Sequence, residues 1–258
     1  MKLALDRYAY LDSVIHQWEQ RSKLIALLPL IFAFAFVEHL ILLPAMLLLT
    51  ATLFYLSRLP FSFLLSRLRY PGWFILGVVI FLPFVAGDTA LFSLGFLEIK
   101  QEGCLQVLLI ITRFLCILTV SLILFGTAPF LTSIKALRSL GLPDTIVDMM
   151  LLSYRYLEEL GDTLQTRQRA MKMRGFKNKK FSLRNLKILA SLTGSLLVSS
   201  YEKSKRVYQA MILRGYGQKP TSALKPNSLA GQNKIALLVT LIFALGFVSA
   251  EIILSLFP

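Results

Sequence analysis

A chain of 258 residues that is 56% hydrophobic and only 16% charged does not suit a soluble domain, which carries about 25% charged residues. With a mean hydropathy of +0.67, it reads as an all-α, polytopic membrane protein. Its net charge is +14, from 28 Lys and Arg against 14 Asp and Glu; in such a chain cytoplasmic loops explain the excess before nucleic acid does.

The first 23 residues mix acids (Asp6, Asp12, Glu19) with bases. They predict a partly amphipathic segment at the membrane surface and not a signal peptide, whose leading region is short and positive. Apolar runs at 24–37 and 40–56, parted by Glu38-His39, predict a helical hairpin. Residues 57–70 hold Arg58, Arg67 and Arg69 and are placed inside. Residues 73–86 run outward, 87–103 read as a turn-rich outer loop, and 104–125 return. The last span is 234–257. Crossing a bilayer core of about 30 Å takes about 20 apolar residues, so the first and third runs need tilt, snorkelling or a kink.

Lys and Arg number four in 1–23, three in 57–70 and eighteen in 126–233, while the outer loops hold only Lys100. That asymmetry predicts five spans, with the N-terminus inside and the C-terminus outside. The chain divides as 1–125 (surface segment and four spans), 126–233 (a cytoplasmic-facing region) and 234–258 (the last span). The middle region predicts two long helices. Residues 143–160 are apolar on one face (Ile146, Met149, Met150, Tyr154, Leu157) and lead into a basic stretch. In 184–214 the stripe is Leu186, Leu189, Thr193, Leu196, Tyr201, Tyr208 and Met211, with Lys203, Lys205 and Arg206 on the exposed face. A polar linker at 217–233 follows.

A seven-residue segment occurs twice here. Ala170-Met171-Lys172-Met173-Arg174-Gly175-Phe176 returns forty positions later as Ala210-Met211-Ile212-Leu213-Arg214-Gly215-Tyr216, a shared A-M-x-[ML]-R-G-[FY]. Gly just past a last turn stops a helix by taking the left-handed conformation. Arg near that end suits the negative pole of the helix dipole. Ala and Met four and three residues earlier share the Arg's face. Each copy predicts a small apolar knob with a charged tip. The plain alternative is that two helices simply end in Gly; the length of the match, made twice in one basic region, weighs against it.

The sequence contains no G-x-x-x-x-G-K-[ST], no H-E-x-x-H and no G-x-S-x-G, so no ATP site, catalytic centre or cofactor is expected. His16 and His39 fall on opposite sides of the predicted topology, and Cys104 and Cys116 lie in or beside one span as buried thiols, so no metal site is expected either. Arg113 sits mid-span; functional by default, it reads better as pairing inside the bundle or bonding carbonyls to fix helix packing.

With these motifs the chain resembles the transmembrane (T) component of energy-coupling factor transporters, and most its cobalt/nickel branch, the CbiQ family. Two short Ala-Arg-Gly motifs end that family's coupling helices; here they stand as Met173-Arg174-Gly175 and Leu213-Arg214-Gly215, with the Ala before each Arg replaced. The opening Leu5-Asp6-Arg7-Tyr8-Ala9-Tyr10, with Trp18 and Lys23-Leu24, is similar to the start of the cobalt branch, and the Gly141-Leu142-Pro143 turn also fits. The resemblance implies a multi-pass protein of a prokaryotic inner (plasma) membrane. It implies a subunit linking two cytoplasmic ABC ATPase subunits to a membrane-embedded substrate-binding subunit, for cobalt or nickel uptake. It makes Ala170, Met171, Arg174 and Gly175, with Ala210, Met211, Arg214 and Gly215, the ATPase-binding residues. Rival readings are a complete permease with its own substrate path, an intramembrane enzyme, for which the sequence offers no catalytic constellation, basic helices that bind anionic lipid, and a T component for a vitamin.

Overall fold

The computed structural model describes residues 11–85, 90–94, 97–176, 182–217 and 231–256. Of the segments read from sequence, Leu5–Tyr10 and most of the 217–233 linker lie outside the described residues. The chain is an all-α membrane protein relieved by one short hairpin among the described residues. The helices are α1 (Val14–Gln17), α2 (Gln20–Phe36), α3 (Leu43–Ser57), α4 (Phe61–Val85), α5 (Gln101–Gly126), α6 (Phe130–Ser139), α7 (Asp144–Met173), α8 (Leu183–Leu213) and α9 (Gly231–Leu256). They fall into two compact units, one with the described residues of 4–147 and 228–258, the other with those of 148–227.

In the first unit α5 packs against α2, α3 and α4, and α9 packs along α2. Leu27, Leu30, Phe34, Met46, Val120, Ile123 and Leu124 are fully buried there. Phe34 meets Phe247 edge to face, with centroids 5.3 Å apart. In a bilayer, lipid tails are as apolar as Leu, so close packing and hydrogen bonds hold helices together. The Thr50 hydroxyl shows how: it folds back onto the Met46 carbonyl at 2.9 Å, which frees it to sit 3.5 Å from the buried, unbridged Cys116 thiol. The Cys104 side chain lies outside the described ones.

Among the described residues, three helices are long and apolar enough to cross a membrane, at Leu40–Ser57 (α3 with its leading 3-10 turn), Leu105–Gly126 and Lys234–Leu256. α2 has 17 residues, about 26 Å at 1.5 Å each, and α4 carries Arg67 and Arg69 in its first turns. Exposed Phe61, Trp73, Ile242 and Leu245 suit an apolar surrounding such as acyl chains.

Two local expectations are corrected, and one segment gains a structure. Residues 57–70, placed by charge alone, are mostly helical: the chain breaks after α3 at Arg58, which has φ 52°, and α4 begins at Phe61. Residues 20–23 do not lie at the surface. They are the first turn of α2, with Gln20 Nε2 donating to Ser133 Oγ at 3.0 Å and Lys23 Nζ to Thr127 Oγ1 at 3.1 Å. The segment read as a turn-rich loop holds an antiparallel hairpin of β1 (Ala90–Leu94) and β2 (Leu97–Lys100), with Phe92 opposite Ile99 and Leu94 opposite Leu97. Aromatic and branched residues favour such pairing, and the turn cues hid it.

In the second unit α7 and α8 run in opposite directions. Asp148 meets Tyr216, Glu159 forms an ion pair with Lys203, and Arg167 meets Ser195, so contacts advance along one helix as they retreat along the other. The Lys203 ammonium also lies 5.1 Å from the Tyr156 ring. Leu192 is the buried apolar residue among the described residues of this unit.

Candidate functional site

The two repeat copies fold identically at the backbone. In the first, Phe176 N–H donates to the Met171 carbonyl at 3.1 Å and Gly175 N–H to the Lys172 carbonyl at 3.1 Å. In the second, Tyr216 N–H donates to Met211 at 3.0 Å and Gly215 N–H to Ile212 at 2.8 Å. Gly175 has φ 85° and Gly215 φ 81°. Crossed bonds of this kind around a left-handed Gly form a Schellman cap. Arg174 and Arg214 occupy the position before each Gly, one residue beyond the last helical turn, and both are exposed. Ala170 and Ala210 are exposed and Met171 and Met211 half-buried, so all eight expected residues gather at their own helix tips.

Sequence reasoning missed the residue just before each Arg. Met173 and Leu213 are each 88% exposed. These two positions hold large apolar side chains, and each tip leaves one standing free beside a guanidinium. The signal was present as the replaced Ala. Such an arrangement can do no bond chemistry; it can insert an apolar plug and a cation into a partner's groove.

A third helix shows what the cap alone does. α6 ends at Gly141, φ 100°, with Leu142 N–H donating to the Leu137 carbonyl at 3.2 Å and Gly141 N–H to Arg138 at 3.2 Å. Its residue before the Gly is Leu140. The cap is therefore shared by three helices, and the Arg before the Gly is what sets α7 and α8 apart. The Gly141-Leu142-Pro143 turn is further held by Arg138 Nε and Asp144 Oδ1 at 3.0 Å.

The intramembrane polar groups serve packing. Arg113 Nη1 donates to the carbonyls of Ala35 at 3.1 Å and Val37 at 3.2 Å, the end of α2, as the packing interpretation expected. Glu251, overlooked in the sequence because it stands alone in the last span, is buried. Its Oε1 accepts from Glu38 N–H at 2.9 Å and faces His39 Nδ1 at 2.8 Å. The corner after α2 is thus gripped by a cation on its carbonyls and an anion on its amide. Among the described residues no three His, Cys, Asp or Glu side chains group to hold a metal ion.

The sequence profile of the CbiQ family, described as cobalt transport protein, matches residues 12–224, a stretch that includes both tips. The chain belongs to this family. Relatives of this CbiQ member carry the name energy-coupling factor transporter transmembrane protein EcfT. That of Streptococcus equi is 29% identical over 95% of this chain and 94% of its own. That of Streptococcus thermophilus is 29% identical over 83% and 85%, and that of Bacillus subtilis 26% over 83% and 84%. The family and these relatives agree with the resemblance drawn from the paired Arg-Gly motifs.

Proposed function

We propose that the chain is the transmembrane coupling subunit of an energy-coupling factor importer. In this reading two cytoplasmic ABC ATPase subunits dock on the two tips, and their motion passes to a membrane-embedded substrate-binding subunit. The chain itself neither hydrolyses ATP nor transports. The observation that carries the reading is the pair of matched caps, each presenting an exposed Arg beside an exposed Met or Leu. Arg174 and Arg214 would each meet a carboxylate as a rigid fork, a task that Lys fills poorly. Met171 and Met211 fill an apolar groove, and Ala170 and Ala210 allow close approach. Losing one partner of such a pair costs roughly 2–5 kcal/mol, and two sites reinforce each other by avidity.

The test is the Arg174→Glu/Arg214→Glu double variant. Each single change should weaken ATPase pull-down or uncouple ATP use, and the double change should abolish uptake while the chain still reaches the membrane. Normal uptake with both charges reversed would reduce the repeat to a pair of helix caps. The intramembrane charges favour this reading over a complete permease, because Arg113 and Glu251 are both committed to one corner. The substrate follows the membrane partner: cobalt or nickel by the family resemblance, a vitamin if the partner binds one. Co-purifying that partner with its ligand distinguishes them.

The orientation proposed is N-terminus inside and C-terminus outside, on eighteen Lys and Arg in 126–233 against Lys100 in the outer loop. Single-Cys labelling from outside, in a Cys-free background, should mark Ser93→Cys and spare Ser182→Cys. The reverse pattern inverts the topology.

A further inference from the structure

The two tips share a backbone and differ in surroundings. A groove of about 760 Å³ opens between the end of α7 and the start of α8, and the first tip lines it with Arg174. Arg167 and Arg184 line the same groove, over apolar walls from Met171, Ile188 and Leu192. Arg167 is held in place, its Nη1 donating to Ser195 Oγ at 2.7 Å. Three arginines around one groove make it positive and suited to an anionic partner. At the second tip an acid stands close by instead, with the Tyr216 hydroxyl donating to Asp148 Oδ2 at 3.2 Å.

We propose that the first tip docks a distinctly acidic segment of its ATPase partner: an apolar side chain against Met171, Ile188 and Leu192, flanked by at least two carboxylates. Arg167 and Arg184 thereby join Arg174 as partner-binding residues at this tip, and the second tip takes a less acidic segment. This rests on the coupling reading above and adds an asymmetry between its two sites. The apolar walls select a protein segment over a small anion, which would gain nothing from them. Planar guanidinium forks suit paired carboxylates.

The experiment measures ATPase affinity for the whole chain in nanodiscs, in two backgrounds. Arg214→Glu leaves the first tip intact; Arg174→Glu leaves the second. Adding Arg184→Gln in the first background should weaken binding about 5-fold, as for an exposed pair worth about 1 kcal/mol. Arg184→Lys, which keeps the charge and loses the fork, should restore only part of the loss. In the second background Arg184→Gln should change nothing, and binding through the first tip should fall more steeply with salt. An equal effect in both backgrounds, or none in either, overturns the asymmetry. So does an effect seen in phosphatidylglycerol nanodiscs and lost in phosphatidylcholine, which would assign the groove to lipid. If neither Arg174→Glu nor Arg214→Glu alters affinity, the coupling reading itself fails. If both matter and Arg184 does not, the asymmetry alone fails.

Discussion

The two units hold their helices by different means. In the membrane unit α2, α5 and α9 interlock, with Phe34, Ile123 and Leu124 at zero exposure. In the α7–α8 unit the helices are bridged by long polar side chains, Arg167 to Ser195 and Lys203 to Glu159. Leu157, Leu186, Leu197, Tyr201 and Tyr208 meanwhile stay largely uncovered. A helix draws most of its stability from burying an amphipathic face, and here that face remains open. The first unit has a buried apolar core beneath its exposed apolar faces, whereas the second leaves most of its apolar stripe uncovered beside basic side chains.

The sharpest way to break this contrast is to cut one apolar side chain from each unit. Phe34→Ala should cost roughly 2–3 kcal/mol, below the roughly 3–5 kcal/mol of such changes in soluble cores, because lipid removes much of the transfer penalty and leaves the cavity term. Leu197→Ala should stay within about 0.5 kcal/mol, as exposed substitutions do. Unfolding of the detergent-solubilised chain measures both. A Leu197→Ala loss equal to that of Phe34→Ala would show that α8 already has its cover.

A smaller effect sharpens the membrane side. Arg113→Leu strands the Ala35 and Val37 carbonyls, and Glu251→Ala strands the Glu38 amide. Each should cost about 1 kcal/mol, the low end for an unpaired group, because the groups left behind are only partly buried. Because both side chains grip one corner, the double change should cost less than the sum. Strict additivity in the double-mutant cycle would mean that they act on separate elements.

What the sequence revealed follows from which signals are local. The repeat was legible because a Schellman cap is written in consecutive residues: Gly175 and Gly215 mark the stop, and Phe176 and Tyr216 mark the crossed bond. The apolar runs were legible because a bilayer demands a length of them. Arg113 could be read as a packing residue, though not its acceptors, since Ala35 and Val37 lie 78 and 76 positions away. Glu251 was invisible for the same reason. A lone acid in an apolar run shows its purpose only once α9 lies beside Glu38 and His39. The start of α4 was hidden by its arginines: the charge rule that places a segment on one side of a membrane does not say whether that segment is helical. The basic groove depends on Arg184 lining the same groove as Arg174 across a helix hairpin, which residue spacing alone does not specify.

A last test separates the cap from the charge it carries. Gly141, Gly175 and Gly215 all have positive φ and nothing within 4 Å of where a Cβ would stand. Ala at any of them therefore meets no clash, and its cost is the left-handed backbone alone, about 1–2 kcal/mol. At Gly141 that strain should loosen the end of α6 and leave ATPase affinity unchanged, since Leu140 offers no cation. At Gly175 or Gly215 the frayed cap should let the Arg wander and weaken ATPase binding, by less than the corresponding Arg→Glu change. Asn tolerates the left-handed region better than other residues with a side chain, so Gly175→Asn should recover part of the loss. Affinity measured for Gly141→Ala, Gly175→Ala and Gly175→Asn side by side decides the matter. If Gly141→Ala weakens ATPase binding as much as Gly175→Ala does, the tips owe nothing special to the Arg they hold, and the distinction between the two units collapses into a general need for intact helix ends.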